Sequence, residues 1–184
     1  MKKIILMTML MSAVFAQGDC NERAANLSDA NLTNAYLRNA YLRYARLEGA
    51  ILRDANLREA QLTHANLRET DLERADLEDA DLRGANLDGA NLRGAILTGA
   101  NLTDAILERA DLERVILRET DLERADLEGA NLRGADLEGV NLEGAILEGA
   151  ILEWVRSSRI IGKPASLPKG WSLVDGRLIK KDGE

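Results

Sequence analysis

The sequence predicts an all-β solenoid, a chain that turns a corner every five residues and stacks its coils around one core. Leucine occurs at every fifth residue from Leu27 to Leu152, 26 times in succession. Alanine lies two places before the leucine in 22 of those 26 units, and Asn or Asp usually stands between them. Apart from the aromatic Tyr44 and Trp154, the two residues after each leucine are polar, charged or glycine. A fixed short period of this kind is the mark of a repeat architecture.

A period of five fits neither an α-helix nor a flat strand. Five residues rotate a helix by about 140°, so the leucines would scatter around it. Side chains alternate faces in a strand, so an odd period would send successive leucines to opposite faces. A short extended piece does point Ala and Leu to one side, and the next two residues then form a corner. Gly84 and Gly89 stand at such corners, where glycine is favoured. The number of sides per coil is not determined by this pattern.

The units ANLRG, ADLEG and ANLDG resemble the pentapeptide-repeat family, whose pattern is A-(D/N)-L-x-x. The resemblance covers residues 26–154 and implies a right-handed, four-sided parallel β-helix with four pentads per coil. Residues twenty apart would then stack about 4.8 Å from each other on one side of the rod.

One eleven-residue segment, RETDLERADLE, occurs at Arg68–Glu78 and again at Arg118–Glu128. The copies start ten pentads apart, which is two and a half coils if the coil has four sides. They are therefore expected on opposite sides of the rod. A block whose facing changes this freely is not suited to carry a position-specific catalytic group.

Residues 1–16 have the plan of a secretory signal peptide. Lys2 and Lys3 precede an apolar run of about twelve residues, too short for a membrane span of about twenty. We predict cleavage after Ala16, a periplasmic or secreted protein, and no stable membrane anchor after cleavage. Residues 17–25 form the N-terminal end segment. They contain the single cysteine, Cys20, which excludes an intrachain disulfide; a lipid anchor on Cys20 is a weaker alternative, because Gly18 and Asp19 do not fit one.

The charge is divided unevenly along the chain. Without Lys2 and Lys3, 22 basic residues face 31 acidic ones, a net charge of −9. The part up to Val155 carries −13 and the part from Arg156 onward +4. An acidic body repels nucleic acid and anionic membranes, so no direct nucleic-acid binding is expected, and a basic partner is favoured.

Two columns stand out at the place just after each leucine. One alternates in sign and predicts a stabilising charge ladder; its members are Arg53, Glu73, Arg93, Glu113, Arg133 and Glu153. The other is acidic and consists of Asp88, Glu108, Glu128 and Glu148. It is either a solubilising face or a surface for a partner. Some family members resemble a DNA duplex in shape and charge and bind DNA gyrase, but the predicted export argues against that role here.

No catalytic set is present in the sequence. His64 is the single histidine and stands at a corner, and no Gly-rich loop precedes a helix. We therefore predict a non-enzymatic exported scaffold that binds an unknown partner protein through charged flat faces, without cofactor or metal. The alternatives are an acidic DNA mimic acting on gyrase or another topoisomerase, and a carbohydrate-active β-helix enzyme, which would need a groove with paired carboxylates.

Apolar residues at outward positions leave weak self-association open. Ile96 and Ile116 are expected to stack on one side, with Ile106 on the opposite side, and Ile146 and Ile151 near the C-terminal end. Three tyrosines near the first coils either cover the N-terminal end or line a shallow contact. They are Tyr36, Tyr41 and Tyr44.

Residues 155–184 are predicted to cap the rod, since its open strand edges need cover. Trp171–Val174, an Asp175-Gly176 turn and Arg177–Ile179 are typical of a β-hairpin. The run P-x-x-L-P-x-G-W resembles a segment that interrupts or ends other pentapeptide-repeat proteins. Apolar residues expected to cover the last coil are Trp154, Ile160, Ile161, Leu167 and Trp171. The alternative is a partner-docking module, which the basic charge of the tail favours.

Overall fold

The computed structural model describes residues 24–181, and its body is a four-sided parallel coil. Twenty-five parallel bridges join residues twenty apart, from Asn26 with Arg46 to Ile146 with Ser166. A uniform spacing of twenty means that four pentads complete one coil, in agreement with the predicted architecture. No α-helix occurs in the described residues. We name the sides A, B, C and D after Leu27, Leu32, Leu37 and Leu42, each side holding every fourth pentad thereafter.

The backbone hydrogen bonds follow one scheme in each pentad. In the pentad 45–49, Arg46 N donates to Ala25 O (2.8 Å) in the preceding coil. Leu47 N and Gly49 N donate to Asn66 O and Arg68 O in the following coil, at 2.8 and 3.0 Å. The N–H of the next alanine closes the turn on the leucine carbonyl. One N–H, that of the residue just after leucine, has no backbone acceptor in this scheme.

The middle residue of the pentad supplies the missing acceptor. Arg68 N donates to Asn66 Oδ1 at 3.2 Å, and Glu113 N donates to Asp111 Oδ1 at 3.1 Å. The same bond forms in all sixteen pentads whose middle residue is Asn or Asp. A short side chain that accepts from the N–H two residues on is a standard way to fix a turn. The preference for Asn and Asp is therefore a corner-forming preference.

Inward alanines and leucines fill the core of the coil. All leucines from Leu42 to Leu152 are fully buried, and so are the inward Val115 and Val140. Thr70 and Thr120, which replace alanine in the two copies of the duplicated segment, are also buried. Their hydroxyls donate to Leu47 O (2.9 Å) and Leu97 O (2.7 Å). The two copies thus occupy equivalent environments on opposite sides, B and D, as the sequence predicted.

Every corner has a positive φ at the second place after leucine, and sixteen of these 26 residues are not glycine. His64 is one of them, with a φ of 56°. It lies at the surface, where the sequence placed it, and stacks on Tyr44 with 5.3 Å between ring centroids. Gly84 follows in the next coil, and a Cβ there would lie 2.4 Å from His64 Nδ1. A corner side chain thus covers the glycine of the following coil.

The coil continues beyond the last leucine of the repeat. Arg156, Ile161 and Ser166 still bridge the residues twenty before them, although the sequence no longer repeats. The strands β1 (Trp171–Val174) and β2 (Arg177–Lys180) then form an antiparallel hairpin. Asp175 and Gly176 form its turn, both with positive φ, which confirms the predicted hairpin.

The hairpin packs against the last coil. Ile160 N donates to Gly176 O, and Leu178 N donates to Ser157 Oγ, each at 3.0 Å. Ile160 and Leu178 are buried. Partly buried against the same core are Leu167, Trp171 and Leu173. The hairpin therefore covers the end of the coil.

The predicted covering role was wrong for two residues, Trp154 and Ile161, which are 76% and 60% exposed. Trp154 stands at an outward corner, where the Arg133 guanidinium lies 5.2 Å from its ring centroid. Ile161 takes the outward middle position of the continued coil. Leu173 and Leu178 of the hairpin cover the core instead.

Candidate protein-binding surfaces

The structure stacks the four predicted acidic residues in one column at the corner after side A. Asp88, Glu108, Glu128 and Glu148 are twenty apart, and the coil repeats every twenty residues. Adjacent members are therefore about 4.8 Å apart along the rod.

The end of this column nearer the N-terminus, its upper end, is neutralised, so the predicted acidic column is not negative along its whole length. Arg109 donates to Asp88 at 2.5 Å, and Arg68 Nε lies 3.6 Å from the same carboxylate. The Asp88 side chain is only 15% exposed. Arg109 also lies 4.0 Å from Glu108. Arg109 reaches Asp88 from the adjacent corner position, whereas Arg68 lies one coil earlier in the same column as Asp88.

The end of the acidic column nearer the C-terminus, its lower end, stays negative. Within residues 24–181, no cationic group lies within 4.0 Å of Glu128, Glu148 or the neighbouring Asp126 of side A. The corner residues beside them are Gly129 and Gly149, which carry no side chain. We name Asp126, Glu128 and Glu148 the acidic patch.

The predicted charge ladder on side B forms only in separate pairs. Arg53 lies 3.7 Å from Glu73, and Arg93 lies 3.0 Å from Glu113. Each arginine also contacts an aspartate of the middle column. Arg133 contacts the Trp154 ring instead of continuing the ladder.

A second set of ion pairs repeats with the duplicated segment. Arg74 donates to both carboxylate oxygens of Asp54 at 2.8 and 2.9 Å, and Arg124 does the same to Asp104 at 2.7 and 2.9 Å. The hydrogen bonds from these guanidinium groups lower the pKa of Asp54 and of Asp104. Each of these arginines also contacts the preceding glutamate, Glu73 or Glu123, so one guanidinium is shared by two carboxylates at each corner.

Side C carries a shallow groove, of which the sequence predicted only the two stacked isoleucines. Ile96 and Ile116 stack in its floor, as predicted. Three arginines and one carboxylate, Asp136, surround them, and Asp136 lies 2.8 Å from Arg118 and 3.7 Å from Arg156. We name the two isoleucines and the three arginines the cationic groove, because the arginines outnumber the single carboxylate. The arginines are Arg114, Arg118 and Arg156. Arg156 was missed because it follows the last repeat in the sequence, although the coil carries it into the same column.

The two carboxylates beside the hairpin are engaged in ion pairs with arginines. Asp136 and Glu138 line a cleft between the last coil and β2. Arg118 lies 2.8 Å from Asp136 and 3.8 Å from Glu138, and Arg159 lies 2.9 Å from Glu138. Both carboxylates are thus held by arginines. The described part of the chain also contains no group of three or more His, Cys, Asp or Glu side chains placed to hold a metal ion.

The remaining apolar and aromatic side chains are dispersed. Tyr36, Tyr41 and Tyr44 are exposed on the outside of the first coil, which agrees with a contact surface better than with a cover for the end. Ile146 and Ile151 are exposed on adjacent sides, A and B, separated by a corner.

Among residues 24–181 no helix has the length and apolar character that a membrane span requires. The predicted leader, residues 1–16, and Cys20 lie outside the described residues.

The sequence model for pentapeptide repeats matches this chain in eight copies, at residues 23–59, 55–94, 95–134 and 116–153. The chain belongs to the pentapeptide repeat family. The predicted family is confirmed, and the right hand of the coil is what membership of this family implies.

Solved structures of pentapeptide repeat proteins are similar to this one. Rfr23 of the cyanobacterium Cyanothece 51142 is 44% identical over 48% of this chain and 60% of its own, with a TM-score of 0.47. This chain thus spans less than two thirds of that protein. HetL of Nostoc sp. strain PCC 7120, involved in heterocyst differentiation regulation, is 36% identical over 71% of this chain and 73% of its own, with a TM-score of 0.36. A protein of the Arabidopsis thaliana thylakoid lumen is 30% identical over 50% and 68%, with a TM-score of 0.43. The search of curated proteins gave no match.

Proposed function

We propose that this pentapeptide repeat protein is a non-enzymatic scaffold that binds a basic partner protein through the acidic patch. The observation that carries the proposal is the contrast along one corner. Asp88 at its upper end is bound by two arginines, whereas no cation of the described residues lies within 4.0 Å of Glu128 or Glu148. Family membership supports the scaffold class, because pentapeptide repeat proteins are generally interaction scaffolds.

The patch stores unfavourable electrostatic energy that a partner would relieve. Glu128 and Glu148 are like charges on adjacent strands, a placement that costs a few tenths to about 1 kcal/mol per pair. A lysine or arginine from a partner would neutralise this repulsion. Binding of this kind is steered by charge and weakens as salt screens the surface.

The proposal is tested with a lysine-rich peptide as the probe and isothermal titration calorimetry as the measurement. Glu128→Gln/Glu148→Gln should abolish binding. Asp79→Asn/Glu119→Gln is the matched control, since it removes the same charge from the opposite corner. Equal loss of binding in both variants would show that only net charge matters and would refute the patch as a site.

We further propose that the protein is exported, which rests on residues 1–16 alone. The mature protein is expected to begin at Gln17. Mass spectrometry of the protein from its native source, with cell fractionation, provides the test. A retained Met1 together with a cytoplasmic location would refute export.

The DNA-mimic alternative has weaker support from the charge pattern. A DNA duplex carries one charge per about 1.7 Å, or about six over 10 Å. The corner from Glu108 to Glu148 covers a similar length with three carboxylates, and Arg109 lies 4.0 Å from Glu108. Its negative charge is therefore less dense than that of a DNA duplex. A gyrase supercoiling assay discriminates the two functions. Inhibition or quinolone protection that Glu128→Lys/Glu148→Lys removes would favour the mimic.

A further inference from the structure

The floor of the cationic groove is unusual among the outward faces of the coil. Ile96 and Ile116 are bridge partners in adjacent coils. Nowhere else in residues 24–181 do two outward isoleucines pair in this way. The groove therefore exposes two stacked isoleucines, whereas the outward isoleucines of the other described faces stand singly beside polar residues.

The two isoleucines also leave hydrogen-bond donors without acceptors. Isoleucine cannot accept the corner N–H that Asn or Asp accepts in sixteen other pentads. The N–H groups of Thr98 and Arg118, which follow these isoleucines, accordingly have no acceptor within the described residues. A ligand for this groove should bring acceptors, because a backbone donor without a partner is costly when it is covered.

Two cations of the groove are poorly used within the molecule. Arg114 is 81% exposed at its side chain and has one ion contact in residues 24–181, with Glu113 at 3.7 Å. Arg156 is 71% exposed, and its one described ion contact is with Asp136 at 3.7 Å. Pairs this long and this exposed are weak. Both guanidinium groups are thus available to carboxylates from outside.

Side A, on the opposite face of the rod, has the complementary features. Its acidic patch offers carboxylates, and Ile106 and Ile146 flank Asp126 in the outward middle column. The two surfaces lie at overlapping heights, since residues 96–156 and 106–148 share the same coils. They cannot meet within one molecule because two corners of the coil separate them.

We propose that the cationic groove of one copy binds the acidic patch of a second copy. This deepens the proposed function, on whose acidic patch it rests, by naming one partner of that patch. The contact joins different surfaces, so a second copy keeps its own groove free and association continues as an open lateral array. The acidic patch and its flanking isoleucines extend over two coil steps, from Ile106 to Ile146, or about 10 Å. The contact is therefore small, and association is weak and sensitive to salt.

Sedimentation velocity of the full chain tests the association. We expect the mean mass to rise between about 10 and 500 µM at low salt, and this rise to vanish at about 0.5 M salt. The groove variant, Arg114→Gln/Arg156→Gln, and the patch variant, Glu128→Gln/Glu148→Gln, should each remain monomeric. Arg43→Gln/Arg46→Gln removes the same charge from the first two coils and should associate like the native protein.

A mixture of the two variants gives the sharpest result. The groove variant keeps a native patch and the patch variant keeps a native groove, so one native contact remains possible between them. We expect a discrete 1:1 complex and no larger species. A native protein that stays monomeric at every concentration, a control that loses association, or a mixture without heterodimers would each overturn the proposal.

The lysine-rich peptide separates this inference from the proposed function. The groove variant retains its acidic patch and should bind the peptide as the native protein does. Peptide binding without self-association would overturn the lateral contact alone. Self-association without peptide binding would show that the patch serves only a second copy, and would overturn the broader proposal.

Discussion

The buried threonines of the duplicated segment offer the clearest energetic test of the fold. Thr70 and Thr120 donate to Leu47 O at 2.9 Å and Leu97 O at 2.7 Å. The perturbation is Thr70→Val, Thr120→Val and the double variant. Valine keeps the branched shape, and the sequence already places it at the same inward position in two other pentads.

The expected cost is about 1 kcal/mol for each substitution, the net contribution of a typical hydrogen bond. The leucine carbonyls are not left without a partner, because the turn N–H groups of Ala50 and Ala100 still donate to them at 2.9 and 3.0 Å. The penalty of an orphaned acceptor is thus avoided. The two sites lie on opposite sides of the rod and should add within about 0.5 kcal/mol, giving about 2 kcal/mol for the double variant.

Equilibrium unfolding in urea measures these free energies of unfolding, with an unchanged slope as the check on two-state behaviour. The two single variants should agree with each other, because the copies are structurally equivalent. Single costs below about 0.3 kcal/mol would refute the hydrogen bonds as a stabilising feature. A difference above 1 kcal/mol between the copies would refute their equivalence.

Three further predictions concern the core, the corners and the cap. Leu72→Asp should unfold or split the rod, because the carboxylate would be buried without a partner; unchanged thermal unfolding would contradict an inward leucine. The lowered pKa values of Asp54 and Asp104 stabilise the fold above the unfolded pKa near 4, and this contribution is lost as the pH falls through the folded values. Asp54→Asn/Asp104→Asn should therefore show a smaller loss of stability from pH 5 to 3 than the native protein, and equal losses would argue against these pairs. Leu178→Glu should release the hairpin and cause aggregation through the exposed coil end, seen by light scattering, whereas Ile179→Glu, on the exposed face of the same strand, should not.

The features that the sequence predicted correctly are those that a local pattern determines. An uninterrupted leucine every five residues implies a corner in each unit and an inward leucine, and the structure buries these leucines. The hairpin could be predicted equally well, because Asp175-Gly176 between two short apolar runs is a strong local turn pattern. The number of four pentads per coil could not be predicted from a local pattern. It depends on contacts between residues twenty apart, and only the family resemblance supplied it.

The charge pattern was predicted less well because long side chains cross between columns. The position just after leucine predicts an acidic column that contains Asp88. Arg109 stands one position further on, in the following coil, and its side chain contacts Asp88. The place of Arg156 in the groove was not predicted, because the coil continues after the sequence repeat has ended. The apolar character of Trp154 and Ile161 predicted that they cover the last coil. Both residues are exposed instead, because they occupy outward positions of the coil.

The central claim is that residues twenty apart are stacked neighbours, since both proposed surfaces depend on it. Disulfide formation tests this directly in a Cys20→Ser background. Glu108→Cys/Glu128→Cys places two cysteines on adjacent strands about 4.8 Å apart, within the Cα range of 4.4–6.8 Å that a disulfide requires. Mild oxidation should join this pair within one chain and leave Glu108→Cys/Arg118→Cys, on opposite sides of the rod, unjoined. Efficient intrachain cross-linking of the second pair and not of the first would contradict the four-sided coil.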